Sequence, residues 1–558
     1  MAALSTTAGL GLRGVNASAT AENRLNVRTA SAFRKDSALR PFRLLRQDRN
    51  NFGKRYVSDW TVFNQLTFAS AVYVYFTNLL PGITFASDLY VLMGQNWGTI
   101  EVVFSTGLCG AIFSLCSIQP LTILGVTGPF SALAENIYSL CTDSFRIDFL
   151  SFMAWSLIHS GWMHWLLAIF NAHDWTTMYV TEFSCEIFSV LNSIIYFHKA
   201  VQELQRAHSD LSFAAFLYAI IGAAGTFLLA LFVSEAEKWP PIFHRYVRTG
   251  LREYAAAISI IFFIGMPYVG ELRSLDKGTL YTSSHAFRPT KPGRAIITIL
   301  FFFDHEISSI ICTIKCYGTK KPTGFAQDIV LLGATTALCG ILGIPPANGL
   351  LPQAPLHSES LMHNVKGEYT EETVLDKHGI ERLVQRPVQR VYEQRWSTFL
   401  HAGAISVFIC PPLQLVFGLK PTSVLAGLFI FMGEQSLSVN PILQRTFWVL
   451  TPASGLPPLP EKIKSYWPIH AYTLFEIVMT VVIFIVTLTL AGPAFPVIII
   501  ALVLFRLLAM NRLWNRKVLR YVDRWACRGG FPEGDDEHSQ TQDMEEKPAP
   551  LVPPLASA

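Results

Sequence analysis

Gln119-Pro120-Leu121-Thr122-Ile123-Leu124-Gly125-Val126-Thr127-Gly128-Pro129 and Pro345-Pro346-Ala347-Asn348-Gly349-Leu350-Leu351-Pro352-Gln353-Ala354-Pro355 are the two stretches that decide the fold of this chain. Each breaks an apolar span where a membrane helix should run through, and both do so with Pro and Gly. Proline removes a backbone donor and clashes with the preceding turn, so neither stretch continues as one helix. In hydrocarbon, a freed backbone group is tolerated only where protein or a water-filled cavity satisfies it. Paired interruptions in the two halves of a chain point to a solute site near the membrane midplane. Pro120, Gly125, Gly128, Pro129, Gly349 and Pro352 are therefore the expected structural breaks, and the chain reads as a solute carrier.

Composition around the breaks agrees. Of 558 residues, 51% are hydrophobic and only 15% charged, and the mean hydropathy is +0.35. Soluble domains carry about 25% charged residues, so an all-α polytopic membrane protein is expected. Spanning runs of roughly 17 to 25 residues recur from Trp60 to Leu508, about 14 segments with the two broken ones included. Clear examples are Phe213–Phe232, Ala255–Val269, Ala295–Ile314, Ala402–Phe417 and Tyr472–Leu490.

Charge is concentrated at the flanks. Eleven Lys or Arg precede Tyr56 against Glu22, Asp36 and Asp48. Arg506, Arg512, Arg516, Lys517, Arg520, Arg524 and Arg528 follow the last apolar run against Asp523 alone. Basic flanks mark the cytoplasmic side, so both termini are expected there and the number of spans even. The same runs fit contact with lipid headgroups rather than nucleic acid. The nine cysteines lie mostly in or beside apolar spans with no CxxC pair, so neither a disulfide framework nor a metal site is expected. No P-loop, GxSxG or HExxH signature occurs in its required context, so neither an enzyme nor a cofactor is expected.

Helix-sized runs begin near Thr61 and again near Arg294, and the same shift carries Pro120 onto Pro352. An odd number of segments per unit would invert the second copy in the membrane. The expected organisation is a disordered basic tail over 1–55, a transmembrane domain over 56–520 and a disordered tail over 521–558. Within the transmembrane domain, repeat one covers about 58–275 and repeat two about 290–520. Glu235–Arg252 and the charged insertion Lys366–Arg395 read as polar loops.

Asp304 interrupts an otherwise apolar span in Phe301-Phe302-Phe303-Asp304-His305-Glu306. A carboxylate at that depth costs at least ~2.5 kcal/mol on insertion scales, which makes it a functional candidate. A half-helix starting after Pro120 or Pro352 would point free N–H groups into the protein and hold an anion or a hydroxylated solute without a cationic residue. Gln119, Thr122, Thr127, Asn348 and Gln353 could add neutral donors and acceptors there. In the first span, Asn78, Pro81 and Thr84 are further polar or kinking residues within Thr77–Phe85.

At these residues the chain resembles the bicarbonate/borate anion transporter superfamily. The resemblance rests on Gln119-Pro120-Leu121 with Gly125-Val126-Thr127-Gly128-Pro129, on Thr181-Glu182 through Glu186-Ile187-Phe188, and on Phe303-Asp304-His305. Pro346 through Leu361 and Val391-Tyr392-Glu393-Gln394-Arg395 extend it. In detail it is similar to the borate exporters of fungi and plants. The resemblance implies fourteen segments in two inverted seven-segment repeats, a core of segments 1–4 and 8–11, a gate of segments 5–7 and 12–14, and a homodimer. Substrate would sit between segments 3 and 10, near 1 and 8, and move with the core in an elevator-like cycle. The implied substrate-binding set is Asp304, Gln353, Gln119, Thr122, Thr84, Phe85, Leu350 and Leu351. Gln353 falls where animal chloride/bicarbonate exchangers have an arginine. Only about 55 residues precede the membrane region, where the animal proteins have a large folded domain. Both departures favour a neutral or weakly held hydroxylated solute, borate or boric acid; the resemblance implies export across the plasma membrane, with the vacuolar membrane as the alternative location. The alternatives are a bicarbonate or other inorganic-anion exchanger of the same fold, and a non-transporting scaffold or sensor.

Overall fold

The computed structural model describes residues 40–532 apart from 241, 275–277, 279–297, 314–316, 322–323, 351–352, 376–380, 411, 414–420, 453–454, 457–458, 460–462, 464, 490 and 527–530. Helices α1 (Arg43–Thr61), α2 (Gln65–Leu92) and α3 (Thr99–Cys116) lead into a two-residue strand, β1 (Leu124–Gly125). Then come α4 (Gly128–Ser139), α5 (Phe149–Ile169), α6 (Ala172–Thr177), α7 (Glu182–Asp210), α8 (Phe213–Ser234), α9 (Arg245–Glu253) and α10 (Ala255–Gly265). The second half begins with α11 (Thr298–Ile311), α12 (Ala326–Leu342), β2 (Asn348–Gly349) and α13 (Gln353–Ser360). Strands β3 (Met362–Leu375) and β4 (Glu381–Val391) form a hairpin before α14 (Trp396–Val407). The chain closes with α15 (Thr422–Ser438), α16 (Pro441–Leu450), α17 (Trp467–Thr487), α18 (Phe495–Leu508), α19 (Met510–Leu513) and α20 (Arg516–Val522).

Apolar composition makes these helices, and short polar residues start them. Asn64 caps α2 through Thr67 N–H, Asp148 caps α5 through Ser151 N–H, and Ser212 caps α8 through Ala215 N–H, each taking a donor that the first turn leaves unpaired. By length and composition α2, α3, α8 and α17 can each cross a membrane, and two bent pairs, around α9–α10 and α15–α16, qualify as broken spans. On α8 the outward residues Phe213, Leu217, Ile221, Leu228 and Phe232 are exposed. A soluble helix would be polar there; an apolar outer face belongs against lipid.

Packing joins the two halves rather than separating them. Helix α5 lies along α12, α3 along α14, and both α7 and α8 along α15. The α5–α12 backbones nearly touch: a Cβ built on Gly161 would stand 2.7 Å from the Gly333 carbonyl oxygen, and one on Gly340 2.7 Å from that of Ala154. Small residues permit such an approach where no hydrophobic force drives helices together.

Several expectations need correction. The first half-helix starts at Gly128, not after Pro120. The intervening backbone is satisfied otherwise: the Asp328 carboxylate accepts from Ile118 and Gln119 N–H at 2.6 and 3.0 Å, and Leu124–Gly125 pairs with β2. Helix α1 crosses the boundary placed at residue 55. Beyond residue 520, the chain packs on the start of α7: Arg524 carbonyl accepts from Glu182 N–H at 2.8 Å, and Ala526 N–H donates to Val180 carbonyl at 3.0 Å. The insertion read as a loop is the β3–β4 hairpin, paired from Met362↔Val391 to Leu375↔Glu381 with a register shift between Asn364 and Tyr369. Its charged residues masked a run of strand formers, Thr370, Thr373, Val374, Val384 and Val388. The other polar loop contains α9.

Candidate functional site

The two broken stretches meet. Strands β1 and β2 pair antiparallel, Leu124 opposite Gly349 and Gly125 opposite Asn348, and Leu350 N–H adds a bond to Ile123 carbonyl at 2.9 Å. Two residues from each break thus satisfy the donors and acceptors that a helix would have used, which lets irregular backbone exist inside the protein. Helix α4 leaves one side of this crossing and α13 the other. The crossing is too crowded for larger residues: a Cβ on Gly125 would stand 2.7 Å from Asn78 Oδ1 and 2.8 Å from Leu350 Cδ1. Asn78 holds it from α2, donating to Leu124 carbonyl at 2.8 Å, with His401 Nε2 2.9 Å away.

Asp304, midway along α11, is 1% exposed. Its Oδ2 accepts from Thr127 Oγ1 at 3.2 Å, and its Oδ1 has no partner. Thr127 also caps α4, accepting from Phe130 N–H at 3.4 Å. One hydroxyl therefore couples the carboxylate to the positive end of the half-helix. Helix α11 holds the other break as well. Asn348 Nδ2 donates to Phe301 carbonyl at 3.1 Å, and Ser308 Oγ to Leu350 carbonyl at 3.4 Å. Among the described residues no ion pair neutralises Asp304.

Gln353 begins α13. Its Nε2 donates to Thr77 carbonyl at 3.1 Å, and its buried Oε1 is unpartnered. Thr122 Oγ1 lies 3.2 Å from Ser309 Oγ, which is 3.4 Å from His305 Nε2. Phe85 packs on Tyr196 and Phe429 with ring centroids 5.9 and 5.5 Å apart, beside Gly128. Leu350 is buried with Tyr73, Val74 and Ile123.

Other expected site residues are committed elsewhere. Gln119 Oε1 accepts from Leu121 N–H at 3.4 Å, folding the side chain over its own turn. Thr84 Oγ1 donates to Leu80 carbonyl at 2.8 Å within α2. Pro120 carbonyl accepts from Thr398 at 3.0 Å, and Pro129 stands in the first turn of α4. Leu351 and Pro352 lie outside the described residues.

Sequence reading missed His357 and His401, which brace the crossing. His357 Nδ1 lies 2.7 Å from Leu121 carbonyl and its Nε2 2.7 Å from Ser397 Oγ. It also missed α7. Asn192 and Tyr196, one turn apart, face Gly128 at the start of α4: a Cβ there would stand 2.9 Å from Tyr196 Cε1 and 3.4 Å from Asn192 Oδ1. The local signal was faint: Asn192 is an uncharged amide with Ser189 and Ser193 around it, where Asp304 is a charge after three phenylalanines. Further along α7, Lys199 Nζ lies 2.6 Å from Glu135 of α4 and 3.4 Å from Asp88 of α2. Arg206 reaches the same Asp88, and Glu203 at 2.9 Å. A separate crevice lined by Val180, Phe188, Leu300, Ile307 and Ile499 is nearly all apolar and contains none of these groups.

Comparison with known proteins bears on this arrangement. A family model described as the HCO3- transporter integral membrane domain matches residues 40–215 and 205–526. Boron transporter 1 of Saccharomyces cerevisiae is 31% identical over 485 residues, 80% of each chain. Anion exchange protein 3 of Rattus norvegicus is 24% identical over 533 residues, 85% of this chain and 42% of the rat protein. The transmembrane domain of a cyanobacterial bicarbonate transporter, BicA, has the same fold at a TM-score of 0.50 and 14% identity, over 76% of this chain and 97% of that domain.

Proposed function

This chain belongs to the family of the HCO3- transporter integral membrane domain, and from that premise we propose that it exports borate or boric acid across the plasma membrane by elevator-like alternating access. The observation that supports the substrate is Asp304: a buried carboxylate beside the start of half-helix α4, with one oxygen bound to the capping hydroxyl, the other unpartnered, and no ion pair to it among the described residues. A site for a strong anion needs net positive charge. Here the carboxylate already faces the positive end of α4, and the corresponding position on α13 is the neutral amide of Gln353. Free acceptor oxygens suit a solute whose surface is O–H groups, which is what boric acid and borate present. Similarity to a boron transporter over most of both chains favours the same substrate.

In this reading, fourteen segments form two inverted repeats, with both termini cytoplasmic and two copies of the chain paired through their gates. The core carries Asp304, the crossing and both half-helices past α7 and α15. Gln353, Thr122, Phe85 and Leu350 line or brace the solute, while Gln119 and Thr84 support the backbone around it. A second reading, exchange of bicarbonate or another inorganic anion, is favoured by the similarity to anion exchange protein 3.

Expression in cells lacking a boron exporter tests the proposal: intracellular boron should fall, and Asp304→Ala should abolish the fall at unchanged surface abundance. Unaltered boron with the wild-type protein at the surface overturns the substrate. A fully active Asp304→Ala variant overturns the role of the carboxylate. Chloride-dependent bicarbonate flux in proteoliposomes, insensitive to borate, would establish the second reading instead.

A further inference from the structure

The proposed core places Asp304 at the mouth of α4; across from it, on α7, stands a second polar group with an unused valence. Asn192 is 7% exposed and its Oδ1 has no partner. It lies one helical turn before Tyr196, whose ring also stands against the start of α4. A Cβ on Gly128 would stand 3.4 Å from Asn192 Oδ1, so this oxygen is aimed at the first residue of α4. Ser131, one turn into α4 on the same side as Thr127, is also buried with no hydrogen-bond partner on its Oγ. A buried polar atom left unpaired costs about 1–3 kcal/mol. Two unpaired acceptors from different elements, converging on one helix start, are an arrangement a ligand completes.

We propose that Asn192 is a substrate-facing residue on the α7 side of the site, and that the Asn192 and Asp304 acceptors together select a solute rich in O–H donors. The proposal rests on the borate reading above and deepens it. Boric acid presents three O–H groups and borate four, enough to donate to both acceptors at once. Chloride offers no donor and bicarbonate only one, so either leaves at least one of the two oxygens unpaired. A site built to bind a hydroxyl rejects an analogue that lacks it far more strongly than an apolar pocket discriminates by size. Placing the two acceptors on elements that move relative to each other would also make tight binding depend on their approach.

The test is boric acid efflux and chloride or bicarbonate flux in proteoliposomes, for wild type, Asn192→Leu and Asn192→Ser. Asn192→Leu should raise the half-saturating boric acid concentration about tenfold or more while leaving any chloride or bicarbonate flux unchanged or increased. Asn192→Ser, which restores an oxygen, should recover part of the loss. If Asn192→Leu is not recovered in membranes, Asn192→Ser alone decides, through a severalfold rise in the same concentration. Wild-type transport of boric acid with no such rise in either variant overturns the proposal and leaves the borate reading standing. Lower abundance or stability without a change in half-saturation assigns Asn192 to packing and equally overturns it. Wild type that moves bicarbonate and not boric acid overturns the borate reading itself.

Discussion

Single residues in this protein do their work through what they leave unpaired or uncompensated. Asp304 and Asn192 do so at the proposed site, and Asp48 does so outside the set proposed to bind the solute. Asp48 is on α1, a helix too polar to span, and is buried against α12, where Gln327 N–H donates to it at 3.2 Å. Burial pushes its carboxyl up to about 7, helped by nearby Asp328 and opposed by the backbone bonds. Its ordinary value is 3.8, so the folded chain holds this proton more tightly than the unfolded chain does. Ionising Asp48 therefore removes stability as pH rises from about 4 to 7, by at most ~1.4 kcal/mol per unit. Asn at this position keeps an acceptor and drops the charge. Asp48→Asn should melt higher than wild type at pH 8 and near it at pH 5, read as thermal unfolding of purified protein at both values; an equal gain at both would contradict the argument. Of these three residues only Asp304 was picked from the sequence. A carboxylate inside an apolar run is conspicuous, whereas an Asn among Ser and Leu, or an Asp in a basic tail, is ordinary until its neighbours are known.

Elements are pinned to one another by a few buried ions. Arg445 on α16 bonds to Glu186 on α7 and, at 2.7 Å, to Glu476 on α17, and stacks over Tyr472 at 5.6 Å. Removing the cation leaves two buried carboxylates facing each other, and breaking a buried pair this way costs about 3–5 kcal/mol. Arg445→Met should sharply reduce folded protein, and adding Glu186→Gln with Glu476→Gln should restore much of it, as measured by monodisperse yield in detergent. Failure of the triple variant to recover would show that Arg445 matters through its packing instead. A comparable set surrounds Asp59, which takes Arg55 and Arg395 at 3.1 Å and Lys321 at 2.6 Å. Arg395 also donates to Ser114 and Ser117 carbonyls at 3.0 and 2.6 Å, closing the end of α3. That gives the Val391–Arg395 motif a structural role: it ends the β-hairpin and seals a helix. Helix positions were largely legible, because apolar runs of spanning length allow little else. The start of α4 was not, since the pairing of β1 with β2 joins residues more than 200 apart and no local signal announces it.

At the scale of the molecule, the Lys199 cluster ties the elements that hold the proposed site, α2 and α4, to α7, which stands opposite. If the core slides past the gate, these ion pairs must exchange in every cycle. Replacing Glu135 and Lys199 with cysteine and bridging them with a short thiol-reactive linker should stop transport, and cleaving the linker should restore it. Transport that continues in fully bridged protein would rule out sliding between α4 and α7. The sequence by itself determined that this is a polytopic helical membrane protein with two broken spans, because hydropathy, proline and glycine act locally and need no partner. It also singled out Asp304, because charge in an apolar run is costly wherever the chain goes. Only the tertiary structure decided that the breaks pair with each other, that α4 starts at Gly128, and that Asn192 faces that start while Gln119 and Thr84 are spent on their own backbones. Those outcomes depend on which donors and acceptors meet across distant parts of the chain, and hydrogen bonding of that kind leaves no periodic trace in the sequence.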